Sequence, residues 1–289
     1  IGAKIALIAF SFSLPISVLM YFMVSSINAN ITFASSEQTG NAYLRPLVDT
    51  LVGVQNHELA AWRCSQARVD CSSQLKPLQA QVDADLTALA DADARYGAEL
   101  KFTPEELAKR GRSQQTLATA RAQWSAIDKA SGAAPPEQYA HLISDLRTMI
   151  THAGDTSNLI LDPDLDSYYL MDATLIALPQ ALDRIAKVAV ETGALLAGKS
   201  SEPERVQAAI AASQLAGDHT HIVESSQTAL NEDANFYGPS PTLAANLAGA
   251  LKMYESAAKR LEELTGKASQ GSAVNPAEYR QASAAANQA

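Results

Sequence analysis

The residues best suited to chemistry in this sequence are three alternating aspartates, Asp162, Asp164 and Asp166, followed at once by two tyrosines. Carboxylates at this spacing fill the first, third and fifth positions of an EF-hand calcium loop. In that register, however, serine stands where the loop requires glycine, and alanine stands where it requires a bidentate glutamate. Because these two features are missing, the stretch does not predict a calcium site.

The same aspartates are typical of the start of a helix. Asp162 is suited to cap the helix, and Pro163 presets its first turn. Asp164 and Asp166 would then lie near the positive end of the helix dipole, which favours carboxylates. The sequence therefore predicts that a helix begins at about residue 162.

Within this helix, Asp164, Tyr168 and Asp172 recur at every fourth residue, which places them on one face as a polar stripe. In one interpretation, the tyrosines brace a capped helix against its neighbour. In the other, the stripe and Asn158 form a polar recess for a small-molecule ligand or for hydrogen bonds between helices. Asn158, Asp164, Tyr168 and Asp172 are therefore candidate ligand-binding residues.

Histidine and arginine side chains supply the remaining candidates. His57 lacks the second histidine of a zinc-protease helix, and a single histidine is more often a hydrogen-bonded structural residue. Guanidinium groups bind carboxylate or nitrate in a bidentate manner, although in an acidic chain they also serve as surface salt-bridge partners. The candidates of this kind are Arg45, Arg63, Arg68, Arg147 and Arg184.

No catalytic motif accompanies these residues. The sequence has no glycine-rich phosphate loop, no nucleophile elbow and no Glu-x-x-His pair of the kind that holds two irons in a helical bundle. His219 and His221 stand two residues apart, on different faces of a helix, and so cannot chelate a metal together. We therefore expect no enzymatic activity, no cofactor and no metal site.

Composition indicates which elements position these side chains. Of the 289 residues, 47% are hydrophobic but 6% are aromatic, so the core must consist mainly of Ala, Leu, Ile and Val, as in closely packed helices. Helical periodicity with turn punctuation runs along nearly the whole chain. The net charge of −9 leaves no basic stripe for nucleic acid. The predicted fold class is all-α.

The expected helices are long and joined by short links, which predicts an elongated antiparallel bundle, either one long bundle or two stacked four-helix modules. Start signals are strongest at Thr103 with Pro104 and at Asn275 with Pro276, where a capping residue precedes a proline. The helices are expected at about residues 29–66, 72–96, 103–131, 136–160, 162–198, 201–235, 242–265 and 275–289.

The N-terminal part holds the clearest targeting signal, because no residue from Ile5 to Ser36 is charged. Its apolar run of about 23 residues is long enough to cross a bilayer. A cleaved signal peptide is the alternative, although its apolar part usually has about 7–15 residues. Lys4 favours an N-terminus in the cytoplasm. We therefore expect a transmembrane helix over residues 1–28 and an extracytoplasmic domain over residues 29–289.

Cys64 and Cys71 are the two cysteines of the sequence and stand between two expected helices. In an oxidising periplasm they can form a disulfide that closes this small loop. In the cytosol they would be two unpaired thiols. The sequence has no Cys-x-x-Cys motif and no second cysteine pair, so it does not predict zinc or covalent haem.

Two stretches resemble sensory proteins of bacteria. The pair Ile27 and Asn28 follows the apolar run, and Glu37, Gly40 and Tyr43 then form a Glu-x-x-Gly-x-x-Tyr pattern. This segment and the later LDPDLDSYYLMD stretch are similar to the periplasmic helical domains of methyl-accepting chemotaxis proteins and of related sensor histidine kinases. His-Glu-Leu stands here where that family often has His-Arg-Gly, so no ligand is carried over from relatives.

The resemblance implies a periplasmic ligand-sensing domain between two spans of the bacterial inner membrane, as a rule in a homodimer. A small molecule would bind between helices or at the dimer interface and displace one helix relative to another. Cytoplasmic signalling proteins would receive the signal through modules absent from this chain, with the second span expected beyond its C-terminus. The rival hypothesis is a structural or adaptor bundle of the cell envelope without a small-molecule site.

Overall fold

The computed structural model describes residues 2–67, 72–130, 132–161, 163–198, 201–235 and 238–289. Throughout these residues the chain is all-α, with ten α-helices and no strand, which confirms the predicted fold class. The helices are α1 (Gly2–Ala67), α2 (Ser72–Tyr96), α3 (Pro104–Lys109), α4 (Leu117–Lys129), α5 (Pro136–Thr156), α6 (Leu165–Met171), α7 (Leu178–Leu196), α8 (Glu202–Glu232), α9 (Leu243–Ser269) and α10 (Pro276–Gln288). A 3-10 turn, Leu159–Leu161, precedes α6, and a π-helical segment, Asp172–Ala177, joins α6 to α7.

The first two helices form a long antiparallel hairpin. The hydroxyl of Tyr43 on α1 donates a hydrogen bond to Oδ1 of Asp93 on α2, 3.0 Å away. Nearer the connection, Gly53 lies against Val82, and a Cβ at position 53 would come within 3.0 Å of Cγ2 of that valine. The missing side chain of Gly53 therefore lets the two helices approach closely.

A first group of four helices, α1, α2, α4 and α5, encloses one continuous apolar core. Trp124 of α4 lies in this core and donates from Nε1 to Oδ1 of Asp83 on α2, at 2.8 Å. Because the indole N–H has a partner, the large ring is buried without loss of a hydrogen bond. Fully buried members of the core include Leu47, Leu51, Leu89, Ile127, Leu146 and Ile150.

The segment predicted as one helix over residues 103–131 is divided in two. Thr103 caps α3 as predicted, but α3 ends at Lys109. Gly111 follows with φ of +66°, a left-handed conformation that glycine adopts without strain. Thr116 then caps α4, since its side-chain oxygen accepts from the backbone N–H of Thr119 at 3.1 Å. A local turn therefore interrupts the helix here.

A second group, α7 to α10, packs around smaller apolar clusters. Tyr279 of α10 is buried in it and donates its hydroxyl hydrogen to the carbonyl of Val188 on α7, at 2.9 Å. α10 begins as predicted, with Asn275 accepting from the backbone N–H of Ala277 at 2.9 Å. Buried members of this group include Ile185, Leu215, Ile222, Leu261 and Leu264.

The two groups lie side by side along α1, which belongs to the first and also contacts the second. Trp62 of α1 packs on the backbone of Gly193 in α7, where a Cβ would come within 2.5 Å of the indole Cη2. Nearer the N-terminus of α1, Asn56 accepts a hydrogen bond from Nδ2 of Asn287 on α10, at 2.6 Å. We call residues 43–64 of α1 the packed stretch, because the buried side chains of this helix lie there.

The N-terminal part of α1 has a different environment. We call residues 10–31 of α1 the anchor stretch. Its large apolar side chains, from Phe10 to Ile31, are each between 46% and 70% exposed. Among the described residues, α1 is the one helix that is long and apolar enough to cross a membrane. The sequence prediction of an apolar N-terminal helix of this kind is confirmed at that level.

Candidate functional site

The aspartate stretch begins a helix, two residues later than predicted. Asp164 is the N-cap of α6, and Asp166 lies in the first turn, where its Oδ1 accepts from the backbone N–H of Ser167 at 2.8 Å. The predicted cap, Asp162, lies outside the described residues. Within the described residues, no group of three His, Cys, Asp or Glu side chains could hold a metal ion.

Tyr168 of the polar stripe and Asn158 occupy different local environments in this structure. Tyr168 is 39% exposed, and its ring meets that of Tyr169 edge to face with centroids 5.4 Å apart. Asn158 has φ of +68° and reverses the chain after α5, with its carbonyl accepting from the backbone N–H of Leu161 at 2.8 Å. Asn158 therefore belongs to a turn, and Tyr168 belongs to a helix surface.

Asp172, the last member of the stripe, links the π-helical segment to α8. Its Oδ2 accepts from the hydroxyl of Ser225 at 3.0 Å and lies 2.6 Å from Nε2 of His221. Both contacts engage Oδ2 of the carboxylate. The alternative interpretation, hydrogen bonds between helices, describes Asp172 in this structure.

Arg147 and Arg184 face neighbouring helices and are paired there. The Arg147 guanidinium donates from Nη2 to Oε1 of Gln180 at 3.4 Å and lies 3.6 Å from the carboxylate of Asp183. Arg184 forms an ion pair with Asp218 of α8. Both arginines thus join α7 to other helices.

His57 and Arg63 lie on the packed stretch. His57 is fully buried, with Nδ1 2.8 Å from the hydroxyl of Tyr139 on α5, and burial lowers its pKa, so its ring is neutral. Nε and Nη2 of Arg63 are buried without a hydrogen-bond partner, and burial, then the charge of Arg280, lowers its pKa. His57 is a structural residue here, whereas an anion at Arg63 stays a prediction.

The predicted disulfide involves the end of the packed stretch. Cys64 is buried and disulfide-bonded. Cys71, the other cysteine of the sequence, lies outside the described residues. Cys64 lies at the end of the bundle that is far from the anchor stretch, which we call the distal end.

A cavity between the two helix groups is the best candidate for a ligand site. This junction cavity has a volume of about 330 Å³ and lies between α1, the start of α7, α9 and the end of α10. Its walls are mainly apolar. Pockets that bind small molecules are typically of this kind, with a few polar groups that orient the ligand. The wall residues used below are Val48, Leu51, Val52, Ala181, Tyr254 and Asn287.

Two polar groups of the junction cavity have unused hydrogen-bonding capacity. The hydroxyl of Tyr254 on α9 and Oδ1 of Asn287 on α10 are both buried without a hydrogen-bond partner. Burial raises the pKa of Tyr254, so its phenol stays protonated and can donate. Leaving such groups unsatisfied costs about 1–3 kcal/mol each, which a ligand with a matching polar atom would offset.

The wall of the junction cavity also includes an irregular element. Thr174 lines the cavity and belongs to the π-helical segment, and its hydroxyl donates to the carbonyl of Leu170 at 2.7 Å. π-Helical turns are rare and frequently occur at functional sites. Pro179, which follows in α7, lacks the backbone N–H that would continue the regular ladder. The cavity therefore lies beside a helix that departs from ideal geometry.

Sequence reasoning missed the junction cavity for a physical reason. Its walls come from four separated segments, and most of its residues are apolar and occupy positions that periodicity assigns to a helix core. Tyr254 stands out as an aromatic residue among alanines and leucines of α9, which is the one weak signal present. Comparison with protein-family models, with curated proteins and with solved structures finds no match to this chain.

Proposed function

We propose that this chain is the extracytoplasmic ligand-sensing domain of a membrane-anchored bacterial receptor, similar to those of methyl-accepting chemotaxis proteins, and that its ligand binds in the junction cavity. One observation carries the proposal: α1 lines this cavity with Val48, Leu51 and Val52 and continues without a break into the anchor stretch. A molecule in the cavity would therefore contact the helix that enters the membrane.

The anchor stretch supports the membrane part of the proposal. At 1.5 Å per residue, residues 10–31 extend over about 33 Å, close to the bilayer hydrocarbon thickness of about 30 Å. Their large apolar side chains are exposed and pack against no other described helix, as expected for a helix surrounded by lipid. The disulfide at Cys64 supports an oxidising compartment for the domain beyond the span.

The cavity indicates the class of ligand. Its apolar walls favour a compact, largely apolar molecule, because a strongly charged ligand would lose hydration without finding a counter-ion there. Tyr254 can donate one hydrogen bond and Asn287 can accept one. A small aromatic or branched aliphatic molecule with one hydroxyl or carbonyl group fits this pattern.

A ligand in the junction cavity would act through the position of α1. Val48 and Leu51 contact it from one side, and Ala181, Tyr254 and Asn287 contact it from the second group of helices. Helix displacements of about 1–2 Å suffice for signalling in many receptors. The ligand shifts the equilibrium only if it binds one arrangement of α1 and the second group more tightly than the other.

The test uses the full chain in lipid nanodiscs and a thermal-shift screen of small apolar alcohols, ketones and phenols. A ligand at one hundred times its Kd should raise the free energy of unfolding by about 2.7 kcal/mol. Ala181→Leu places a larger side chain in the cavity and should abolish the shift. Tyr254→Phe should weaken binding by about fivefold to tenfold, because one hydrogen bond is worth about 1 kcal/mol.

A matched control separates loss of the cavity from loss of stability. Ala211→Leu overpacks a core position of α8 that does not line the cavity, at a cost of about 1–3 kcal/mol, and should retain the ligand-induced shift. If no compound stabilises the chain, or if Ala181→Leu and wild type respond equally, the junction cavity is not the sensing site. A structural bundle of the envelope would give the first of these results.

A further inference from the structure

A second cavity lies at the distal end of the bundle and differs from the junction cavity in its chemistry. It has a volume of about 300 Å³ and is bounded by α1, the 132–136 connection, the start of α5 and Val190 of α7. Its lining holds one carboxylate, Glu58, and two large aromatic side chains, Trp62 and Tyr139. We call it the distal cavity.

Glu58 is an acid without a counter-ion. The described residues offer it no hydrogen bond or ion pair, and the charge that acts on it is that of another acid, Asp183. Burial, and then the charge of Asp183, raises the pKa of Glu58 to about 7. A carboxylate in such a place lowers stability when it ionises, which is typical of functional sites rather than of structural ones.

The two aromatic rings at the distal cavity are held in place. Trp62 packs on Gly193, where any larger residue would collide with the indole Cη2. Tyr139 is 2% exposed, and its hydroxyl lies 2.8 Å from Nδ1 of His57. The face of an aromatic ring attracts a cation with about 0.5–2 kcal/mol for each cation–π contact.

From this arrangement we propose that the distal cavity binds a small organic cation, a primary or quaternary amine, with its charge next to Glu58 and its alkyl groups against Trp62 and Tyr139. An anion would be repelled by Glu58, and a neutral molecule would leave the carboxylate unpaired. The net charge of −9 adds a long-range attraction for cations. This inference uses other residues than the junction cavity and does not depend on the proposed function.

The ionisable groups around Glu58 determine how binding depends on pH. Asp183 of α7 lies 3.6 Å from Arg147, and Tyr139 of α5 has its pKa raised by burial and then by Glu58, so it stays neutral. His57, the preceding residue on α1, is also neutral because burial lowers its pKa. Glu58 is therefore the group that titrates near pH 7, and cation binding should weaken about tenfold for each pH unit below its pKa of about 7.

The experiment is isothermal titration of the full chain in lipid nanodiscs with choline and butylamine at pH 8 and pH 6. We expect saturable binding of at least one cation at pH 8 and about tenfold weaker binding at pH 6. 3,3-Dimethylbutan-1-ol, the neutral isostere of choline, should bind at least tenfold more weakly than choline. Equal binding of choline and its isostere, or no saturable binding of either amine, would overturn the proposal.

Variants locate the site and separate it from the junction cavity. Glu58→Gln and Trp62→Leu should each reduce cation affinity at least tenfold, with folding verified by circular dichroism. Glu191→Gln, at a partly buried acid of α7 outside the cavity, and Ala181→Leu in the junction cavity should leave it unchanged. If Glu58→Gln binds choline as wild type does, the distal cavity is not the site. Because Ala181→Leu tests the other cavity, either proposal can fail alone.

Discussion

The two stretches of α1 belong to one continuous helix but lie in opposite environments. In the anchor stretch, Leu19 is 68% exposed and Tyr21 is 70% exposed, and no other described helix covers them. In the packed stretch, Tyr43, Leu47 and Leu51 are fully buried. Apolar character alone therefore does not distinguish a stretch that packs in a core from one that stays exposed. The distribution of apolar residues around the helix distinguishes the two cases, because a core helix needs one apolar face and a lipid-facing helix needs several.

The largest expected effect comes from placing a charge in each stretch. Leu51→Arg buries an unpaired charge in the core, which costs several kcal/mol and should unfold the helical domain. Leu19→Arg should leave the thermal unfolding of the domain unchanged but lower membrane insertion, since an arginine at the centre of a span costs about 2.5–3.5 kcal/mol. Circular dichroism and membrane fractionation measure the two outcomes separately. A loss of domain stability in Leu19→Arg would contradict the proposal that this stretch faces lipid.

Much of the fold could be predicted from sequence because its signals are local. Thr103 and Asn275 each cap a helix in the structure, as the residues around them indicate. The break between α3 and α4 was missed because the periodicity continues across it. Gly111 was the available signal, and its left-handed conformation ends the helix there. Local chemistry therefore predicts where a helix starts better than where it stops.

The candidate sites could not be predicted in the same way. The sequence places Asp172 in a recess for a ligand or for hydrogen bonds between helices, but it does not identify the partner Ser225, which lies 53 residues away in sequence, on α8. His57 finds its partner Tyr139 at a separation of 82 residues. Periodicity identifies the face of a helix on which a residue lies but not the helix that packs there. Pairings of this range therefore require the tertiary structure.

A second prediction tests the distal end of the packed stretch. Cys64→Ser removes the disulfide that constrains the unfolded chain. For a loop of about eight residues, the chain-entropy relation gives a loss of about 2.5 kcal/mol in the free energy of unfolding. Urea denaturation of the variant measures the loss, and wild type in excess dithiothreitol should match the variant. The apolar run of residues 10–31 should insert into membranes equally well in both proteins.

A third prediction concerns Glu58, the carboxylate near the distal end of the packed stretch. The pKa of Glu58 in the folded chain, about 7, lies above its ordinary value of 4.5, so between these values the folded state binds more protons than the unfolded state. Stability therefore falls as pH rises through this window. Glu58→Gln removes this loss and should be about 1–3 kcal/mol more stable than wild type at pH 8.

Urea denaturation at pH 5 and pH 8 measures this third effect. The difference between Glu58→Gln and wild type should be small at pH 5, where the carboxyl group is protonated in the folded state. Glu99→Gln, at an exposed position, should follow wild type at both pH values. A wild-type stability that rises between pH 5 and pH 8, with Glu58→Gln following it, would show that Glu58 ionises without cost.

The smallest expected effect comes from replacing Asn56 of the packed stretch, and Asn30 of the anchor stretch serves as the comparison. Asn56→Ala removes the acceptor for Nδ2 of Asn287. Asn287 is 8% exposed, and its Oδ1 already lacks a partner. The loss should be about 1 kcal/mol, and a double-mutant cycle with Asn287→Ala should return a coupling of similar size. Asn30→Ala, at an exposed position of the anchor stretch, should not change the unfolding of the domain. The Asn56 contact joins α1 to α10 at the wall of the junction cavity. In Asn56→Ala this link is lost, so ligand binding should depend less on where α1 lies. Equal effects of the two alanines would mean that α1 is not coupled to the second group through this bond.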